Sequence, residues 1–355
     1  MLVQGAEVAR FEQQVAERCQ RAHAVAVSNG TAALSLALEA LGVGPGDEVL
    51  VPALTWPSPA HAVRGLGAVV KLVDVDPHEW NATPEAFPAA RTSRTRAAIV
   101  IDQFGNPARG PERRQVLDGL IVVEDAACAL GSTFSDGTPC GSFGDVSTFS
   151  FHPRKVITTG EGGMCLTDDA ETARRLRVLR NHGQTTPGVF ERAAGNFRLT
   201  ELAAALGVTQ MGRLDEINYG RRDHAATMRA ALALRAAELS FQDAPPGALP
   251  NLQTFGVLLP AGSTPAQRDA FVESCKRHGA QAGPLSYALS EVPSVTPDPL
   301  PTRADGAPWN AVDIVARGVC LPLYPTMTEA DCAQVVNAVT CAYQELRAPV
   351  EPAPE

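Results

Sequence analysis

Short apolar runs alternate with amphipathic stretches along the first half of the chain. Residues 5–21 place Val8, Phe11, Val15 and Cys19 on one face at helical spacing. The run HAVAVSN leads into Gly30 and then TAALSLALEAL, a predicted helix closed by Gly42. EVLVPA, VVKLVDVD, AAIVI, LIVVED, VSTFSF and GGMCLT read as strands, with a helix opening near Pro57. Short β-branched runs with helices between them predict a mostly parallel sheet covered by helices on both faces. Two helical patterns follow, DDAETARRLRVLR and the stretch from Thr200 to about Leu234. Beyond them come the strand TFGVLLP, a helix from Pro265 to Arg277, the strand GVCLPL and a final helix, with Thr326-x-x-Glu329 as its capping-box pattern. The expected division is a large domain of residues 1–235 and a small C-terminal α+β domain of residues 236–355. No internal repeat is present, and Ala348 to Glu355, with three prolines, reads as a frayed tail.

Composition narrows the function classes. Apolar residues at 45% and charged residues at 19% of 355 suffice for a sizeable core. A net charge of −9 argues against a nucleic-acid partner, which needs a basic face. No apolar run approaches a membrane span, and the start MLVQGAEVARFE lacks a signal peptide's apolar core. A cytoplasmic enzyme is therefore expected. The eight cysteines form no C-x-x-C pair and no Cys/His cluster at zinc spacing, so reduced, buried thiols and no metal site are expected.

Four strand-end features carry candidate chemistry. Lys155 follows VSTFSF and precedes Thr-Thr-Gly-Glu-Gly-Gly. It is either a surface lysine on a glycine-rich loop or an amine held for Schiff-base chemistry. Asp125 ends the apolar run LIVVED, where ligands bind in open parallel sheets. It is either a helix N-cap or an anion that keeps a cofactor's ring nitrogen protonated, and Glu124 beside it points to the opposite face. Ser28-Asn29-Gly30-Thr31 lies at a strand-to-helix junction, either a simple cap or a phosphate site at a helix start. Trp56 either packs or covers a planar ring. The order of these features, each at the end of a strand of one sheet, favours the joint reading.

The segments SNGTAAL, GDEVLVPALTW, EDAACALGS and SFGDVSTFSFHPRKVITTGEGG occur in that order. With them the chain resembles the DegT/DnrJ/EryC1/StrS family of pyridoxal 5′-phosphate (PLP)-dependent aminotransferases, of aspartate-aminotransferase fold type I. The resemblance runs from about Leu2 to Thr209 and returns in CLPLYPTMTEAD. It implies a large domain with a mostly parallel sheet sandwiched by helices, plus a small C-terminal α+β domain. It implies that Lys155 carries PLP as a Schiff base and then shuttles a proton. Asp125 would hold the ring nitrogen, Trp56 would stack on the ring, and Gly30, Thr31 and Ser150 would hold the phosphate. Asn196, in GNFRLTELAAALG, would reach the phosphate of a neighbouring subunit, making a homodimer with shared sites. The implied reaction moves an amino group from an amino acid such as glutamate to a keto-sugar, most often nucleotide-linked, in polysaccharide or antibiotic sugar biosynthesis.

Several positions depart from the family pattern. Cys128 stands where His or Gln is usual, beside the cofactor's phenolic oxygen, and Gly195 stands where an aromatic precedes Asn196. Family members commonly carry a further segment upstream of LVQGAEVARFE, so the chain is expected to be short at its N-terminus. Gly279 to Arg317 matches poorly, including the stretch where a histidine-bearing substrate loop is usual. Among other residues, His152 reads as a packed strand-end histidine before a substrate contact, and His182 as a loop support. Arg198 reads equally as an anion contact or an interface ion pair, and Arg174, Arg175, Arg177 and Arg180 as a solvated helix face. Neighbouring chemistries are a sugar dehydratase and a cyclitol- or aminobenzoate-forming relative; dehydratase members carry histidine in place of the lysine. A regulatory member of the fold without catalysis is opposed by competent residues at every cofactor position except Cys128. A helix-turn-helix DNA binder is opposed by the acidity and the lack of a basic helix.

Overall fold

The predicted strands join into one seven-stranded sheet, in the order β1-β7-β6-β5-β4-β2-β3. Its members are β1 (His23–Val27), β2 (Glu48–Pro52), β3 (Val69–Val73), β4 (Thr95–Ile101), β5 (Ile121–Asp125), β6 (Val146–Ser150) and β7 (Gly163–Thr167). In this computed structural model the described residues are 2–109, 116–296, 306 and 309–347. The predicted tail, Ala348 to Glu355, and part of the poorly matching segment lie outside them. All strands of the sheet run parallel except β7, which is antiparallel to both β1 and β6.

Alternation along the strands buries both faces. Leu50, Ala98, Val100 and Val122 join the core under α1 (Ala6–Arg18), while Val49, Val51, Ile99 and Val123 join the core under α2 (Gly30–Ala40) and α3 (Ser58–Gly65). α1 buries Val8, Phe11 and Val15, as their spacing predicts. Phe11 packs on Phe151 at 4.8 Å between ring centroids and on Gly207 of the helix Glu201–Met211, where a Cβ would lie 2.7 Å from Phe11 Cζ. The first helix thus braces the chain just past β6.

The stretch from Thr200 forms two helices, Glu201–Met211 and Leu214–Arg235, with Gly212 and Arg213 between them. After a hairpin earlier in the chain, β8 (Gln184–Thr186) with β9 (Val189–Phe190), the remaining strands build a separate antiparallel sheet. Its order is β10 (Ser240–Phe241), β11 (Phe255–Leu258), β13 (Gly318–Leu321) and β12 (Gly283–Pro284). The helices Pro265–Arg277 and Glu329–Arg347 pack with it into a third core.

Two local expectations are corrected. The final helix is capped by Thr328, not Thr326: Thr328 Oγ1 accepts from Asp331 N at 3.2 Å and Asp331 Oδ2 accepts from Thr328 N at 2.8 Å. The hydroxyl must sit immediately before the first helical residue, and Met327 is already buried in the core. Arg174, Arg175 and Arg177 are exposed, but Arg180 is buried and donates to Glu12 Oε1 at 2.6 Å and Ala26 O at 2.8 Å. Position 180 falls on the inward face of its helix, where an ion pair makes burial tolerable. All eight cysteines are free and five are buried. No described helix is long and apolar enough to cross a membrane.

Glu201 caps α1 from a distance, accepting N–H groups of Gly5 (2.7 Å), Glu7 (2.9 Å) and Val8 (3.1 Å). Burial pushes its carboxyl up, and these bonds outweigh burial and hold it below the usual range. A depressed folded value means stability present above the unfolded value and lost as pH falls through the folded one. Glu201→Gln is expected to cost about 1 kcal/mol near neutral pH, allowing for solvent screening. Urea unfolding at neutral pH and in acid checks this: the difference from wild type should vanish in acid, and an equal gap at both would refute it.

Candidate active site

Parallel strands deliver their carboxyl ends to one edge, and the candidate residues gather there. Asp125 ends β5 and is buried. No helix follows it, so it is not an N-cap; among the described residues its one hydrogen-bond donor is Ala127 N, at 3.1 Å to Oδ1. Burial pushes its carboxyl above the usual range, and the charge of Lys155 opposes the shift. Glu124 faces the other way, as alternation requires, and accepts from Gly141 N (2.7 Å), Phe143 N (2.9 Å) and Ser147 Oγ (2.6 Å).

Lys155 lies on a loop pinned at both ends. Phe151 N donates to Gly162 O at 2.8 Å, Thr159 N to Phe151 O at 3.0 Å, and Lys155 N to His152 O at 2.8 Å. Gln253 Nε2 holds Arg154 O at 2.6 Å. This is no free surface loop: Lys155 Nζ points inward and donates to Cys128 Sγ at 3.1 Å. Lys155, Cys128 and Ser150 share a narrow crevice with Ala127, Val156 and Ile157.

The start of α2 closes the site. Asn29 Oδ1 caps the helix through Ala32 N at 2.8 Å, so the simple-cap reading holds for Asn29. Gly30 does something more: a Cβ there would lie 2.7 Å from Ser150 Cβ. A Cβ at Gly163 would overlap the Asn29 carbonyl. These two glycines let the helix start rest directly on β6 and β7, and first-turn N–H groups have no partner inside their own helix. Thr31 Oγ1 lies 2.8 Å from Ser58 Oγ, placing a second hydroxyl beside the cup that the sequence reading missed.

Trp56 is exposed and meets Tyr287 edge-on, with ring centroids 5.3 Å apart. Thr55 N donates to Tyr287 O at 3.2 Å, and Leu54 bridges Ala288. Tyr287 lies in the poorly matching segment, so no motif pointed to it. Asn251, also missed, is buried and holds Cys128 O (2.9 Å) and Leu130 O (3.0 Å) through Nδ2. Its role spans more than a hundred residues of sequence, and nothing local announces it.

Other candidates fall outside this group. Asn196 is exposed and forms an isolated bridge with Asn181. Arg198 Nη1 donates to Asn181 Oδ1 at 3.1 Å. His152 is not packed, as its side chain is 44% exposed; its Nδ1 accepts Arg154 N at 3.2 Å, stabilising the turn into Lys155. His182 adopts positive φ and donates its N–H to Gly195 O at 2.8 Å.

A buried acid short of donors, an inward amine, and hydroxyls around a helix start form a donor set that fits a phosphorylated heteroaromatic aldehyde. A model of the DegT/DnrJ/EryC1/StrS aminotransferase family matches residues 1–340. The chain belongs to that family. It is a PLP-dependent aminotransferase, with pyridoxal 5′-phosphate as its cofactor. The aminotransferase is similar to DesV of S. venezuelae, with 31% identity and a TM-score of 0.89 over 98% of this chain and 91% of that one. It is similar to 3-amino-5-hydroxybenzoic acid synthase, with 29% identity and a TM-score of 0.88 over 96% and 91% of the two chains. The PLP form of Spr1654 from Streptococcus pneumoniae shares the fold at 22% identity, with a TM-score of 0.90 over 98% and 93%.

The contact at Gly30 makes a specific demand on the aminotransferase. Gly30→Ala must push the helix start off Ser150, and such overpacking costs about 1–3 kcal/mol. PLP affinity, read by spectral titration of the cofactor-free chain, should fall by about tenfold or more. Unchanged affinity would show that the helix start does not hold the phosphate.

Proposed function

We propose that this aminotransferase moves an amino group from an amino acid, glutamate in the first instance, to a nucleotide-linked keto-sugar. The observation that carries the reading is the meeting of Lys155, Asp125 and the Gly30 cup at one edge of the sheet. Lys155 Nζ is assigned as the atom that binds the cofactor. Asp125 holds the ring nitrogen and its proton, a partner that offsets the cost of burying the carboxyl. Gly30, Thr31 and Ser150 hold the phosphate, with Ser58 beside them, and Trp56 covers the ring. When bound, PLP supplies the electron sink that stabilises negative charge at the donor carbon.

The remaining steps belong to the protein. Lys155 Nζ, once free, takes the proton from the donor Cα and returns it within the same pocket, its reach fixed by the pinned loop. With the acceptor bound, the same amine moves the proton in the opposite direction. The open Trp56–Tyr287 wall supports an acceptor with a large ring-bearing part, which aromatic faces bind well. Two copies are assigned to a homodimer in which Asn196, exposed on a single chain, reaches the phosphate of the neighbouring site. Residues 1–235 and 236–355 are taken as large and small domains, and the cytoplasm as the working compartment.

A keto-cyclitol or aminobenzoate precursor is the second acceptor class, supported by the likeness to 3-amino-5-hydroxybenzoic acid synthase. A panel of nucleotide-linked keto-sugars, free keto-sugars and keto-cyclitols, each assayed with glutamate, separates the two classes. Turnover confined to the keto-cyclitols would overturn the sugar reading.

Borohydride treatment of the PLP-loaded enzyme should fix the cofactor on Lys155, and Lys155→Ala should abolish transamination. Labelling elsewhere, or normal turnover by the variant, would sink the assignment. Mixing Lys155→Ala with Asn196→Ala chains should restore part of the activity that each lacks alone. No recovery in mixed dimers would count against shared sites.

A further inference from the structure

Cys128 lies three residues past Asp125, its carbonyl held by Asn251 Nδ2 at 2.9 Å. Its Sγ is 3.1 Å from Lys155 Nζ, inside the crevice lined by Ala127, Leu130, Ser150 and Val156. A neutral thiol is a weak acceptor, whereas a thiolate beside an ammonium is both a strong acceptor and a favoured state. The other charged groups around the pair are few. Asp125 faces the same ammonium from the end of β5, and Arg154 sits on the lysine's own loop with the opposite effect. His152 begins that loop, with its side chain turned toward Glu161 at 4.0 Å.

We propose that Cys128 is a positioning residue for Lys155: whenever the amine is free, Sγ and Nζ share one proton, which aims the amine into the crevice and sets the pH at which it becomes nucleophilic. The exchange is balanced within the pair. The proton leaves Sγ for Nζ to give thiolate and ammonium, and returns when the amine is needed neutral. Burial acts to push the Lys155 ammonium down, and the Cys128 sulfur, followed by Asp125, outweighs burial and leaves it above its usual value. The significance of the pair for catalysis rests on Lys155 being the cofactor lysine; the pair itself does not.

The test uses the full-length chain stripped of PLP and shown by circular dichroism to be folded. Lys155 is acetylated with acetic anhydride across a pH series and quantified by peptide mass spectrometry. In Cys128→Ala and Cys128→Ser the pH midpoint of acetylation should fall, and modification at neutral pH should rise about threefold or more. Serine keeps the size and the hydrogen bond and loses only the ionisable proton, so a midpoint unchanged in Cys128→Ser overturns the proposal. Reciprocally, iodoacetamide alkylation of Cys128 at neutral pH should slow about threefold or more in Lys155→Met, because the thiolate loses its cation. Alkylation indifferent to Lys155→Met also overturns it. If both responses appear and borohydride fixes PLP elsewhere, the pair stands and only the assignment of Lys155 as the cofactor lysine falls.

Discussion

The contact between the start of α2 and β6 governs the geometry of the site. A helix that begins on a sheet can aim its free N–H groups at a ligand only if nothing intervenes. Here Gly30 lies so close to Ser150 that no side chain fits, and Gly163 clears the Asn29 carbonyl in the same way. Everything else at the strand ends is placed relative to that contact. Ser150 precedes the pinned loop of Lys155, and β6 pairs with β5, which ends in Asp125. The start of α2 and the amine are therefore positioned by one strand, and a shift of α2 would disturb both.

The adjacent carboxylates Glu124 and Asp125 show how the same strand serves stability and chemistry. Both are buried. Glu124 receives two backbone N–H groups and the Ser147 hydroxyl, and it ties the Gly141–Ser147 segment to the sheet. Asp125 receives one N–H and is left short of donors. Burial of such an acid is costly, and the Lys155 charge offsets only part of that cost, leaving the carboxyl pushed up. The fold gives the first carboxylate three donors and the second one, so Asp125 is the member of the pair left able to take a further donor.

Most of the sheet was legible because short β-branched apolar runs, glycines and strand-end polar residues are local signals. The helix Pro265–Arg277 was legible to the residue, since its capping and proline signals lie within one turn. What could not be read depends on contacts between distant segments. Asn251, Ser58 and Tyr287 act on residues far away in the chain, and nothing in their own neighbourhoods marks them. Arg180 looked like its solvated neighbours because charge alone says nothing of which helix face meets Glu12. The capping residue of the last helix was misplaced by two positions because TMTE offers two threonines, and only packing of Met327 selects the second.

The two departures from the family pattern have different physical consequences. Gly195 lacks the aromatic expected before Asn196, yet a Cβ there would lie 2.6 Å from the ring of Phe197. Phe197 thus packs against the backbone at position 195, and the consequence there is steric. Cys128 differs in kind. It puts a thiol where an imidazole or amide is usual, with its sulfur 3.1 Å from Lys155 Nζ. Volume lost in a packed region is restored by any neighbour of the right size. A contact to the amine depends on one atom at one position, so the change at Cys128 bears on Lys155 itself, whereas the change at Gly195 bears on packing.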